Sequence, residues 1–534
     1  MTLQQPRMFE RDEGADLLDW LRDYGAKRIN SLLIDTRRCI PPYIILDFGN
    51  AGLLGLQAPR AVGGLELSHK RAVAVLAQLA ALDLSLGTLV VVHNCLGIGP
   101  IMRAGQEPAR SEMLSQLATG RVLGAFALTE PAAGSNPNAL EGIATVGADD
   151  QVRLSAQKMW IGSAGWAGLI NVFARYVDKS GAPSGTCGYV VPSTARGLSI
   201  GPELLTMGMR GMVQNLVRFD DVEVSDAYRL GDVGQGFLAA QDAMMMTRLA
   251  LGALSVGAMK RCLQLMTRYA DRRTGICAGR LISNPVSRMR LSTSIAEVEA
   301  LACLVDFTAE LLDRKQSAPE ELFIVAKVCG SEFLWQTVDR SIQMLGGRGY
   351  LESNIICQIM RDARVGRIFE GPTETLLHHL GARLMLNPAP LGQLLQHDLS
   401  AGDVFERLSA LREHVKNGDT KSTALHSGRQ ARDWDNYCLG GIAAKAILYA
   451  VARKRSGARS EWVIRWAETA FSRAIAETLK ASEDIDVRPE GDILGLVDGY
   501  RSQIGDIEQS LPAEEWRLDP YLRLGAQGNY DQSW

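Results

Sequence analysis

The period of the apolar positions divides the chain into segments. Residues 16–28 and 70–81 place apolar side chains at steps of three and four, which predicts helices with one buried face. The composition then changes to short segments that are rich in β-branched and aromatic residues and separated by Gly, Pro, Ser and Asp, as in the strands of a compact β-domain. These predicted strands are residues 124–129, 152–161, 169–175, 188–191 and 215–224.

The helical period returns at Phe237 and continues to about residue 385. Its long segments predict a four-helix bundle; they are residues 239–272, 286–314, 319–345 and 373–384. The run Asn387-Pro388-Ala389-Pro390 has the composition of a linker. Further helices are predicted beyond this linker, at residues 403–415, 433–454, 460–481 and 493–509.

At 534 residues the chain is too long for a single hydrophobic core. We therefore predict a mainly α fold with a central β-domain, divided into four parts. The parts are an N-terminal helical domain (1–123), a middle β-domain (124–236), a C-terminal four-helix bundle (237–385) and a helical extension (386–534).

Composition narrows the classes of function. An apolar content of 46% with 22% charged residues is that of an ordinary soluble globular protein. A formal net charge of −3 provides no basic field for nucleic acid or for an anionic membrane. The apolar stretch 72–92 is interrupted by Gln78, Asp83 and Ser85, so it predicts a buried helix rather than a membrane span. Neither nucleic-acid binding nor membrane association is expected.

The N-terminus and the cysteines both indicate a cytoplasmic protein. Residues 1–13 lack the apolar core of a signal peptide. The nine cysteines are scattered without a Cys-x-x-Cys pair, which is typical of reduced thiols. The seven histidines show no metal-ligand spacing, and the adjacent His378 and His379 point in different directions on a helix. No metal site is predicted.

The first candidate for chemistry is Glu370. It follows the apolar Ile368 and Phe369 and precedes Gly371-Pro372, where a helix is expected to stop and restart. A carboxylate at such a break can face a cavity, and the glycine lets a ligand approach the backbone. Partial desolvation raises a carboxyl pKa, as a general base for a weakly acidic carbon requires. The alternative is that Glu370 is only a charge at a helix N-terminus, stabilised by the helix dipole.

Two further segments suit a flat ligand with an anionic part. In residues 126–135 a strand carrying Thr129 ends at Pro131, and a loop of small residues exposes backbone amides and the Ser135 hydroxyl to a heterocycle edge or a phosphate. In residues 158–162 the indole of Trp160 can cover one face of a ring. Each segment also has a purely structural interpretation, a β-turn for the loop and a core aromatic for Trp160.

Together these segments resemble the acyl-CoA dehydrogenase family. Residues 127–135 (Ala-Leu-Thr-Glu-Pro-Ala-Ala-Gly-Ser) are similar to the first signature of that family, and residues 343–350, 361–363 and 369–371 are similar to its second. Collinear matches at 217–224, 230–237 and 269–273 extend the resemblance over about residues 10–385. It implies FAD as the cofactor, although the chain contains no Gly-x-Gly-x-x-Gly fingerprint. The helical extension is similar to that of very-long-chain members.

The resemblance implies roles for individual residues. Glu370 lies where many members keep the catalytic base; others place it just before the arginine that corresponds to Arg248, but this chain has Thr247 there, which cannot serve. Substrate contacts are implied for Ser135, Arg248 and Gly371. Flavin contacts are implied for Phe126, Leu128, Thr129, Gly134, Ser135, Trp160, Ile161, Gly162 and Thr373. Arg273, Gln343, Gly346 and Gly347 are implied to hold the adenosine-diphosphate half of FAD across a dimer interface, so a homodimer or homotetramer is expected.

The implied reaction is the α,β-dehydrogenation of an acyl thioester. The thioester carbonyl accepts hydrogen bonds from the Glu370 backbone N–H and a flavin ribityl hydroxyl. Glu370 removes the α-proton while the β-hydrogen leaves as hydride to flavin N5, and the stacking of base, substrate and flavin supplies the orientation.

Several alternatives remain open. Gly162 stands where most members have Thr or Ser, and some plant short-chain acyl-CoA oxidases share the Trp-Ile-Gly run, so the electron acceptor is either an electron-transferring flavoprotein or dioxygen. Residues 244–246 are three methionines where medium-chain relatives offer an acidic contact to pantetheine. They either fill gaps in the core or indicate an acyl carrier protein in place of CoA.

A third class is a non-catalytic, flavin-bound family member that binds nucleic acid. The retained Glu370 and the negative net charge argue against it. For residues 386–534 we expect solvated helices packed on the dimer rather than a membrane or partner surface.

Overall fold

The computed structural model describes residues 13–147, 151–274, 279–417, 428–454, 460–484 and 488–507. Its elements run in the order helices, one sheet, helices. The helices that precede the sheet are α1 (Glu13–Arg28), α2 (Ser31–Arg37), α3 (Pro42–Asn50), α4 (His69–Leu82), α5 (Leu84–Val91), α6 (Gly99–Ala104) and α7 (Glu107–Ala118). This order confirms the predicted fold class.

The stretch 72–92 forms two buried helices instead of one. α4 ends and α5 begins at Asp83, whose carboxylate caps α5 by accepting a hydrogen bond from Leu86 N at 2.9 Å. A π-helical turn, Val92–Ile98, then leads into α6. Within the described residues, one helical stretch has the length and apolarity to cross a membrane, Leu84–Ala104, and 83% of its apolar window is buried inside the protein.

The β-domain is a single eight-stranded sheet in the order β6-β7-β3-β2-β4-β5-β8, with β1 paired to β4. All five predicted strands are confirmed, whereas β2, β6 and β8 were not predicted. The residue pattern did not reveal these three strands because β2 and β8 are short and β6 contains Gly and Pro. The strands are β1 (Leu123–Ala127), β2 (Ile143–Val146), β3 (Val152–Gly162), β4 (Ala167–Val177), β5 (Pro183–Pro192), β6 (Leu198–Glu203), β7 (Gln214–Val224) and β8 (Arg229–Leu230).

One edge of β4 is shared by two strands. β1 pairs with β4 in parallel up to Ala127↔Val172, and β2 pairs with it in parallel from Ile143↔Arg175 onward. The chain therefore leaves this edge after Ala127 and returns to it at Ile143. Residues 128–142 project from the sheet between these two points, and this loop includes Thr129, Gly134 and Ser135. The sheet thus presents the predicted ligand loop at one place along its edge.

The helices after the sheet include the predicted bundle. α8 (Gly236–Arg272), α9 (Pro285–Asp313), α10 (Glu320–Leu345) and α12 (Thr373–Leu386) confirm its four helices. α11 (Ile355–Gly366) was not predicted as a separate helix. α8 packs on both α10 and α4, so the bundle and the N-terminal helices share one core.

The extension consists of α13 (Ala389–Gln393), α14 (Gly402–Lys416), α15 (Gly428–Lys454), α16 (Ser460–Asp484), α17 (Glu490–Asp498) and α18 (Arg501–Ile504). The predicted linker is therefore partly helical, because α13 begins at Ala389, and the predicted residues 508–509 lie outside the described part. α15 packs closely on α12. A Cβ on Gly440 would lie 1.8 Å from Leu377 O, and one on Gly381 would lie 1.8 Å from Asn436 O. The extension thus joins the bundle through a close helix pair that requires glycine.

A buried carboxyl group lies where the N-terminal helices, the β-domain and α11 meet. Asp362 is 1% exposed and accepts a hydrogen bond from Met209 N at 2.5 Å. Burial, with a smaller contribution from the charge of Asp83, raises the pKa of Asp362 to about 8.

Asp362→Asn is expected to make the protein less sensitive to alkaline pH. Between about pH 4 and pH 8 the folded protein keeps a proton on Asp362 that the unfolded chain has lost, so the stability of the folded protein falls as the pH rises through this range. Asparagine stays neutral and still accepts from Met209 N–H. Melting temperatures at pH 5, 7 and 9 test this, with exposed Asp220→Asn as the control. If the melting temperatures of wild type and Asp362→Asn differ by the same amount at all three pH values, the prediction is contradicted.

Candidate active site

Glu370 lies in the turn that joins α11 to α12. Its φ is 56° and that of Gly371 is 98°, so two successive residues occupy the left-handed region. For glycine this conformation is accessible, whereas for glutamate it costs about 1–3 kcal/mol and persists only where the surroundings enforce it. The predicted interruption of the helix before Gly371-Pro372 is therefore confirmed, and its backbone is strained.

Two basic side chains hold the carbonyl groups of this turn. Arg248 on α8 donates from Nε to Glu370 O at 3.3 Å. Lys327 on α10 donates from Nζ to Gly371 O. Both basic side chains are buried: Arg248 is 8% exposed and Lys327 is 1% exposed. The turn is thus fixed from two different helices.

A carboxylate holds the two ends of the same turn. Glu332 Oε1 on α10 accepts from Arg367 Nε at 2.7 Å and from Thr373 Oγ1 at 2.7 Å. Thr373 is buried. Its hydroxyl, which the resemblance implied to lie by the flavin, is therefore engaged in fixing the turn.

Glu370 itself carries two unsatisfied polar groups. Its Oε2 is buried and makes no hydrogen bond. Its backbone N–H has no acceptor among the described residues. Buried polar groups of native proteins are almost always paired, so the unpaired Oε2 indicates a place for a ligand. The unpaired N–H of the same residue is available to donate to that ligand.

The electrostatics of Glu370 suit a base. Burial raises the pKa of its carboxyl group to about 7, while the positive charges of Arg248 and Lys327 act in the opposite direction. Cys95, in the π-helical turn, lies close enough for the Glu370 charge to act on it, and burial raises the pKa of its thiol to about 12. Thr247 is buried and donates to Ala243 O at 2.9 Å. The hydroxyl at the alternative base position is thus occupied within its own helix.

The β-domain presents Trp160 outward. The register of β3 on β7 shifts between Lys158 and Ile161, and Trp160 within this bulge has a φ of 57°. Trp160 is 59% exposed, whereas Ile161 is 2% exposed. The interpretation of Trp160 as a core aromatic is therefore wrong, and its indole is available to cover a ligand.

Gly162, two residues after Trp160, packs against the loop that precedes β7. A Cβ on Gly162 would lie 2.7 Å from Met212 Cε. Met212 is 3% exposed, and Cε is the far end of its flexible side chain. A shift of this side chain would make room for a threonine or serine, so the packing does not require glycine at position 162.

A buried ion pair closes the base of the projecting loop. Lys158 Nζ lies 2.6 Å from Glu130 Oε1, and the two side chains are 0% and 2% exposed. Lys158 also donates to Leu128 O at 3.0 Å and to Phe173 O at 2.5 Å. Glu130 accepts from Glu141 N at 2.5 Å, at the far end of the loop.

The sequence argument missed this pair. The available signal was Lys158 within a predicted strand and Glu130 directly after another, because such charges are rarely buried without a partner. Their contacts fix both ends of the loop that contains Gly134 and Ser135, which are themselves exposed.

The remaining flavin candidates in the β-domain are at the foot of this loop. Phe126 stacks at an angle on Phe173, with ring centroids 5.0 Å apart, and Leu128 packs in the same cluster. Thr129 O accepts from Met159 N at 3.0 Å, which joins the loop to the strand that carries Trp160. The structure thus brings the loop and Trp160 together.

The four residues implied for the adenosine-diphosphate half lie elsewhere. Arg273, Gln343, Gly346 and Gly347 are exposed. At a rise of 1.5 Å per residue, Gln343 lies roughly 24 Å along α10 from Lys327, which contacts the Glu370 turn. One chain therefore does not bring these residues to Glu370.

Comparison with known proteins identifies the family. The N-terminal, middle and C-terminal domains of acyl-CoA dehydrogenases match residues 11–121, 125–222 and 234–385. The chain is 28% identical to human mitochondrial short-chain specific acyl-CoA dehydrogenase over 360 residues, which cover 67% of this chain and 86% of that protein. It is 28% identical to the bovine very long-chain specific enzyme over 445 residues, 81% of this chain and 64% of that one.

Solved structures show the same fold. Butyryl-CoA dehydrogenase from Megasphaera elsdenii has a TM-score of 0.66 at 24% identity, covering 73% of this chain and all (100%) of that one. An acyl-CoA dehydrogenase complexed with FAD from Bacillus anthracis has a TM-score of 0.74 at 23% identity. The match covers 93% of this chain and 92% of that one. A prolyl acyl carrier protein oxidase has a TM-score of 0.62 at 23% identity. The match covers 69% of this chain and 97% of that one. This chain therefore belongs to the acyl-CoA dehydrogenase family of FAD-dependent oxidoreductases, and it carries a helical extension beyond their three domains.

Proposed function

We propose that the protein removes two hydrogens across the α,β bond of an acyl thioester, with Glu370 as the base. The observation that carries the proposal is the pair of unsatisfied groups on Glu370, the buried Oε2 and the backbone N–H. A thioester carbonyl that accepts from this N–H gains an electrophilic contact. The same pose places the adjacent α-carbon near the carboxylate that removes its proton.

The residues of the β-domain suit FAD. The projecting loop offers the exposed Ser135 hydroxyl and backbone amides, and Trp160 offers an exposed aromatic face. Thr129, Ser135 and Trp160 would hold the flavin half, which, when bound, takes up the β-hydrogen as hydride. Arg273 and Gln343 would serve the FAD of a second chain, so we propose at least a homodimer.

The test is anaerobic mixing of the purified flavoprotein with a panel of acyl thioesters while flavin absorbance is followed. Each acyl group is offered both as a CoA ester and on an acyl carrier protein. If only the CoA esters or only the acyl carrier protein thioesters bleach the flavin, that result identifies the carrier of the substrate. Bound FAD that no thioester bleaches would contradict the proposed function.

The electron acceptor is tested separately. We propose an electron-transferring flavoprotein, in keeping with the relatives that are dehydrogenases. The oxidase alternative rests on Gly162 and the Met212 side chain that fills the space beside it. Reoxidation of the reduced protein in air with stoichiometric release of hydrogen peroxide would favour the oxidase. Slow reoxidation in air would favour the dehydrogenase.

The rate of flavin reduction is expected to rise with pH through about 7. Glu370 must be ionised to accept a proton, and burial places its pKa at about 7 in the free protein. Below that pH, kcat/KM is expected to fall about tenfold for each pH unit. Stopped-flow measurements from pH 5.5 to 9 check this expectation. A rate that is flat between pH 5.5 and 7 would contradict it.

A further inference from the structure

A buried lysine lies directly beneath the Glu370 turn. Lys327 is 1% exposed within α10, and its ammonium donates to the carbonyl oxygen of Gly371. Burying an ammonium group costs free energy unless hydrogen bonds and opposite charge compensate. A methionine would fill the same volume in the helical core at lower cost. The charge at this position therefore calls for a reason beyond packing.

The first reason is the backbone of the turn. Gly371 has the most freedom to adopt other backbone angles, and Glu370 at φ 56° is strained. Arg248 fixes the carbonyl of Glu370, and Lys327 fixes the next carbonyl along the chain. The two donors together stabilise the observed conformation of the turn, in which Glu370 Oε2 is buried and the backbone N–H is unpaired.

The second reason is electrostatic. The charged and titratable groups that act on Glu370 are Arg248 from α8, Lys327 from α10 and Cys95 from the π-helical turn. The two cations favour the carboxylate against its burial. Lys327 is in turn influenced by Glu370, Arg248, Glu332 and Glu374, and burial lowers its pKa to about 8. At neutral pH it therefore remains mainly an ammonium ion.

We infer that Lys327 is a positioning residue for the base. It holds the Gly371 carbonyl so that Glu370 stays in its strained, ligand-facing conformation, and its positive charge favours the ionised form of the Glu370 carboxyl group. This inference rests on the proposed role of Glu370.

Two substitutions separate the hydrogen bond from the charge. Lys327→Met removes both, whereas Lys327→Gln keeps a donor for Gly371 O and removes the charge. In both variants the midpoint of the kcat/KM profile is expected to move up by about one pH unit, which lowers the rate at pH 6 about tenfold. At pH 9 Lys327→Gln is expected to recover most of the wild-type rate, and Lys327→Met is not. Lys260→Met, on an exposed position of α8, is the control.

An unchanged midpoint in either variant that folds with bound FAD would overturn the inference, as would equal rates of both at pH 9. If Lys327→Met does not fold, the inference is tested with Lys327→Gln alone, by the midpoint of its kcat/KM profile against pH.

A readout without turnover separates this inference from the proposed function. The melting-temperature difference between wild type and Glu370→Gln across pH 5 to 9 reports the titration of Glu370 in the folded protein. In the Lys327→Gln background that titration is expected to move up by about one pH unit. If it does not move, the inference fails even where thioesters bleach the flavin. If it moves and no thioester bleaches the flavin, the inference stands and the proposed function fails.

Discussion

Glu370→Gln is expected to slow flavin reduction by an acyl thioester by about 10²- to 10⁴-fold, the usual contribution of a positioned general base. Glutamine has the size of glutamate, so the packing around the turn is retained. The amide cannot take up a proton at any pH of the experiment, so the variant lacks a base at this position. Because the backbone N–H remains in place, binding of the thioester is expected to change much less than the rate.

The control for this prediction is Glu374→Gln. Glu374 lies on the first turn of α12, four residues beyond the base, and its side chain is exposed. Its substitution removes the same charge from the same region and is expected to leave the rate within about twofold of wild type, because exposed charges are screened by solvent. Rapid bleaching in Glu370→Gln, or an equal loss in both variants, would show that Glu370 is not the base.

Lys158→Met is expected to destabilise the β-domain by about 3–5 kcal/mol, the cost of leaving one member of a buried ion pair without its partner. Glu130 would then be buried at 2% exposure without its cation. Leu128 O and Phe173 O would lose their shared donor as well. Since this pair fixes the base of the projecting loop, the FAD content of the purified protein is expected to fall together with its stability.

The double variant Glu130→Gln with Lys158→Met is expected to be more stable than Lys158→Met alone, because no uncompensated charge remains. Lys179→Met, at an exposed position of the same domain, is the control for removing a lysine. Urea unfolding and flavin absorbance measure the two effects. A free energy of unfolding within about 1 kcal/mol of wild type in Lys158→Met would contradict the assigned role of the pair.

Local pattern was sufficient for much of the fold. The long helices α8, α9, α10 and α12 were predicted within a few residues, since each carries a sustained apolar period on one face. Five of the eight strands were predicted as well, from their β-branched and aromatic residues. β2, β6 and β8 are too short, or too rich in Gly and Pro, for a period of two to stand out, and they exist because neighbouring strands pair with them.

The sequence alone also proposed Glu370, the loop with Ser135, and Trp160 as candidates, because each lies in a run whose residue types limit the local backbone. Only the tertiary structure decided what surrounds them. Lys158 reaches Glu130 from 28 positions away, Lys327 reaches Gly371 from 44 positions away, and Met212 fills the space beside Gly162. Such contacts depend on the register of strands and the packing of helices that are distant in the chain. No local period of the sequence encodes these contacts. The buried hydrogen bonds and ion pairs among them contribute to stability only once the core excludes water, because a buried charge without a partner is costly.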